Sequence, residues 1–76
     1  METNQNNADT CRANIALFYF SHLKQMTPGT NMEWLIGRFS TPFSRADEMR
    51  RLSPKLSGQD FAELNNLIAE LNQATA

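Results

Sequence analysis

The stretch Ala13-Asn14-Ile15-Ala16-Leu17-Phe18-Tyr19-Phe20-Ser21-His22-Leu23 contains three adjacent aromatics and the longest apolar run of the chain, Ile15 to Phe20. Successive residues of a helix are rotated by about 100°, so one helix cannot turn Phe18, Tyr19 and Phe20 toward a single neighbour. The segment must be covered on more than one side. That requirement points to a small all-α domain, a compact bundle whose later helices pack around the first. Ala13, Ile15, Ala16, Leu17, Tyr19, Phe20, Leu23 and Met26 sweep out a broad apolar arc, on the order of 200°. Asn14, Ser21 and Gln25 lie opposite, and Phe18 falls among them. A large aromatic there is either a core residue covered by another element or a contact to a second chain.

Toward the N-terminus, Asp9 or Thr10 can cap this helix, which is expected over about 10–26. Residues 1–9 are rich in Asn and Gln with little to bury, and read as a disordered polar tail. Residues 10–76 read as one helical domain. In the other direction, Thr27-Pro28-Gly29 stops the helix, because the residue before proline avoids the α region and glycine permits positive φ. Thr30 and Glu33 have the spacing of a capping box. They open a second helix over about 31–39, with Met32, Leu35, Ile36 and Phe39 as its core stripe and Trp34 roughly opposite.

Thr41 is a cap and Pro42 suits the first helical position of a third helix, about 42–52. Phe43, Ala46, Met49 and Leu52 are expected inside, with Arg45, Arg50 and Arg51 outside. Ser53 before Pro54 ends it. Ser57 and Asp60 then form a capping pattern, with Leu56 and Phe61 at the positions of a hydrophobic staple. The fourth helix, about 58–73, carries Phe61, Leu64, Ile68 and Leu71 at 3-4-3 spacing, with Leu67 beside them.

A chain of 76 residues is one domain at most, and a domain this small is marginally stable alone. The single cysteine, Cys11, excludes an internal disulfide, and the single histidine, His22, leaves a Cys/His zinc site short of ligands. Tight helix packing or oligomerisation remains, and a homodimer through the first or fourth helix is expected. The apolar run is far short of the ~20 residues that span a bilayer. The N-terminus has no basic region or apolar core and does not read as a signal peptide, so the expected compartment is the cytoplasm.

Net charge is −1, unevenly spread. Segment 38–55 carries Arg38, Arg45, Arg50, Arg51 and Lys55 against Asp47 and Glu48, whereas segment 56–76 carries Asp60, Glu63 and Glu70 with no base. Such a balance fits either complementary neighbouring helices or a basic face for nucleic acid. A helix-turn-helix over the second and third helices fits poorly, because Asp47 and Glu48 stand in the recognition helix, where phosphate repels them. Catalytic signatures are missing. Cys11 and His22 share a helix face but lie about 16 Å apart along the axis. Asp47 and Glu48 point to different faces, and the glycines are isolated. No enzyme activity, metal or cofactor is expected.

Aromatics and arginine dominate interface energetics. The candidate partner-binding residues are therefore Phe18, Tyr19, His22, Trp34 and Arg38. Arg45, Arg50, Arg51 and Lys55 are the candidate nucleic-acid contacts. The leading expectation is a small regulator that inhibits or remodels a partner protein, such as a phage or mobile-element antirepressor. A small DNA-binding regulator and an assembly or secretion chaperone are the alternatives.

Overall fold

The computed structural model describes residues 4–23 and 29–75. In chain order these form α1 (Asn4–His22), α2 (Met32–Arg38), α3 (Pro42–Leu52), a single 3₁₀ turn (Ser53–Lys55) and α4 (Gly58–Ala74). The expected four-helix, all-α architecture is the one observed.

α1 and α4 form the main helix pair of the molecule. They are antiparallel. His22, at the end of α1, faces Asp60 at the start of α4, while the charge of Glu70, late in α4, is felt by Cys11 early in α1. α2 and α3 close over this pair from the side of Tyr19, whose ring makes edge contacts with Trp34 (centroids 6.4 Å apart) and Phe39 (5.8 Å). The core gathers Ile15, Phe18 and Tyr19 of α1, Leu35 and Phe39, Met49 and Leu52, and Leu64, Ile68 and Leu71 of α4.

The antiparallel register explains why α1 begins at Asn4 rather than near residue 10. Each step back along α1 is a step forward along α4, which brings Ala8 level with Ala74. Ala8 is 4% exposed, and Ala74 is half-buried against the core. The polar segment expected to be a disordered tail is therefore helical from Asn4 onward; residues 1–3 lie outside the described residues. At its other end α1 stops at His22. Leu23 is not helical, and positions 24–26 of the expected helix lie outside the described residues.

Gly29 takes the positive φ expected of it, +93°. The cap of α2 is Asn31 rather than Thr30: its side chain accepts the Trp34 N–H at 2.9 Å. With the cap one residue later, Trp34 and not Glu33 becomes the third helical residue, and the reciprocal box with Glu33 is not made. Thr41 caps α3 as expected, and its box is completed by the Ser44 hydroxyl. Ser57 caps α4 by accepting the Asp60 N–H. Leu56 and Phe61 are half-buried against the core, as a staple requires.

The buried faces of three helices differ from the expected ones. On α3 the expected stripe Phe43, Ala46, Met49, Leu52 steps by three each time. Each such step drifts 60° around the helix, so Phe43 ends up opposite Leu52. The observed stripe is Arg45, Glu48, Met49 and Leu52, with 3-4 spacing, and Phe43 is 78% exposed. On α1 the buried side includes Phe18, and Leu17 and Phe20 point to solvent. On α2 Leu35 and Phe39 are buried, whereas Met32 and Ile36 are exposed.

Candidate functional site

Tyr19, Arg38, Glu48 and Arg51 form one polar cluster, with Tyr19 and Glu48 buried and the two arginines reaching the surface. Glu48 is fully buried. It accepts hydrogen bonds from the Tyr19 hydroxyl (2.7 Å), from Arg38 Nε (3.0 Å) and from both Nε and Nη2 of Arg51. Burial pushes the Glu48 carboxyl up, and the bonds from Arg51, Tyr19 and Arg38 more than offset it, leaving its pKa lowered. The Tyr19 hydroxyl is pushed far up by its burial and by its bond to Glu48. Arg38 also reaches Asp47, which in turn holds Arg50. The carboxylates read as obstacles to phosphate are thus the counter-ions of three arginines.

Arg45 corrects the sequence reading most sharply. Expected on the outer surface, it is 1% exposed. Its Nε donates to the Phe39 carbonyl at 2.7 Å, and Nη2 lies near the Ser40 carbonyl. Nη1 donates to Asn72 Oδ1 and to Thr75 Oγ1. The guanidinium therefore satisfies carbonyls left open at the end of α2 and sits at the negative end of the α4 dipole. Burial, then the nearby charge of Arg12, lowers its pKa. It is a structural strut rather than a nucleic-acid contact. Of the other candidates for that role, Arg51 is bound to Glu48 and Arg50 to Asp47, both at the surface, and Lys55 is exposed in the 3₁₀ turn.

The expected partner-binding set divides similarly. Phe18 and Tyr19 are core residues, 3% and 1% exposed, and present nothing to a partner. Trp34 is half-buried against Tyr19, and Arg38 is held by its carboxylates. His22 remains on the surface, its ring centroid 4.6 Å from that of Phe18 and its Nδ1 3.9 Å from Asp60 Oδ1. What sequence reasoning missed is the apolar surface: Leu17 (64% exposed), Phe20 (49%), Met32 (44%), Ile36 (43%) and Phe43 (78%). On α1, Ala13, Leu17 and Phe20 follow i, i+4, i+7, a second stripe readable in the sequence had the first been assigned to the opposite side.

Cys11 and His22 stay about three turns of α1 apart, ~16 Å along its axis, as their spacing requires. Burial and then the charge of Glu70 raise the Cys11 thiol, which disfavours the thiolate a nucleophile needs. No helix among the described residues is long and apolar enough to cross a membrane. Comparisons with protein-family models, with curated proteins and with solved structures find nothing that matches this chain.

Proposed function

We propose that this chain is a small non-enzymatic cytoplasmic regulator that acts by binding a partner protein, and that its working unit is a homodimer. The observation that carries the reading is the set of five large apolar side chains, among the described residues, left 43% to 78% exposed. Large apolar groups held in water on a folded scaffold gain free energy when another chain covers them.

The two contacts use different parts of this surface. α4 spends its apolar stripe on α1, so the fourth helix is not free for a dimer axis. The outer stripe of α1, Ala13, Leu17 and Phe20, is the self-complementary face an isologous dimer needs. Met32, Ile36 and Phe43 are left for the partner. The DNA-binding alternative is weakened by the burial of Arg45 and the pairing of Arg38, Arg50 and Arg51.

Capture from the native host tests the reading, with Phe43→Ser and Ile36→Ser as controls. Both sites are exposed, so both variants are expected to keep wild-type helicity and to lose a protein that the parent retains. Retention of the same proteins by parent and variants would defeat the proposal.

A further inference from the structure

The end of α1 and the first turns of α4 bring together an imidazole and two carboxylates. One imidazole nitrogen of His22 and one carboxylate oxygen each of Asp60 and Glu63 lie within 4.8 Å of one another. Asp60 and Glu63 are three residues apart and share a helix face. Among the described residues no arginine or lysine pairs with either carboxylate. The 3.9 Å between His22 Nδ1 and Asp60 Oδ1 is too long for a hydrogen bond. It is within about 0.6 Å of the separation of two ligands on one tetrahedral zinc ion. Three atoms no more than 4.8 Å apart share a point within about 2.8 Å of each, so exposed side chains need move only ~0.7 Å to reach zinc-ligand distances. The Phe18 ring lies against the imidazole and restricts its orientation.

We propose that His22, Asp60 and Glu63 bind a divalent first-row transition ion, zinc foremost, which pins the end of α1 to the start of α4. Imidazole with carboxylate selects such ions over magnesium and calcium, which take oxygen ligands. The positive end of the α4 dipole opposes a cation with about half a charge, and two full carboxylate charges outweigh it. Three protein ligands leave a fourth position for water. Counting cysteine and histidine alone missed this set, because the antiparallel register of α1 and α4 creates it.

The test uses the full chain without an affinity tag, in a Cys11→Ser background, with zinc chloride as the probe. His22 is the only histidine, so its ring resonances report directly on binding. Zinc at micromolar concentration is expected to shift those resonances and raise the melting temperature. Asp60→Asn and Glu63→Gln are each expected to weaken binding at least about tenfold with unchanged helicity. The proposal is overturned if the His22 resonances do not move at millimolar zinc or if Glu63→Gln binds as tightly as its parent. It is overturned equally if magnesium gives the same response, which marks a diffuse acidic cluster, or if zinc binds only when Cys11 is restored.

Discussion

At the scale of single residues, the fold depends on polar groups that a hydrophobicity pattern places outside. Glu48 is the clearest. Glu48→Gln keeps the shape but removes the counter-charge of Arg38 and Arg51 and leaves part of their hydrogen bonding unmet. Breaking a buried ion pair costs about 3–5 kcal/mol, and both arginines retain enough exposure to be partly solvated, so a loss of roughly 2–3 kcal/mol is expected in urea unfolding. The pH dependence follows from the direction of the shift. The folded carboxyl releases its proton more readily than the ordinary value of 4.5 implies, so its contribution is present above that value and lost as pH falls through the lower, folded one. Stability of the parent should decline across that acid range, and Glu48→Gln should flatten the decline; parallel curves for the two proteins would show that Glu48 does not drive it. Neither role was legible, because only the approach of Tyr19 from α1 and Arg38 from α2 gives the carboxylate its partners.

At the scale of elements, the starts of α3 and α4 follow local chemistry, whereas the start of α1 and the buried faces of α1, α2 and α3 do not. Thr41, Pro42 and Ser57 start their helices where local capping rules place them, since a cap is a contact between residues three apart. Thr41→Ala should therefore lower stability by about 1 kcal/mol, read as a shift of the denaturation midpoint. Phe43→Ser, two residues on and far larger in volume, should change it by no more than about 0.5 kcal/mol. The reverse order of these two effects would place Phe43 in the core. The face of α3 was misassigned because its apolar residues admit two stripes, and the choice rests on what α2 and α4 offer Arg45. The same ambiguity arises on α1, where Phe18 and Leu17 are both apolar and only one side meets α4.

At the scale of the whole molecule, a radius of gyration of 12.0 Å is near the ~11 Å of a compact chain of this length, so the monomer is already closed around its core. Association then has to use the outer surface. Light scattering at micromolar concentration should give about twice the 8.6 kDa of one chain, and Leu17→Asp should return it to the monomer mass without loss of helicity. A parent mass near 8.6 kDa would remove the dimer. The sequence by itself determined the four helices, the caps of α3 and α4, the absence of an internal disulfide and the central place of Ile15 to Phe20. These depend on contacts within a few residues or on composition. Only the tertiary structure decided which side of α1, α2 and α3 is inside, that Arg45 and Glu48 are buried, and that His22 meets Asp60 and Glu63. Those outcomes depend on how helices far apart in sequence are aligned, and a side chain's partners across that gap decide whether a charge can leave water.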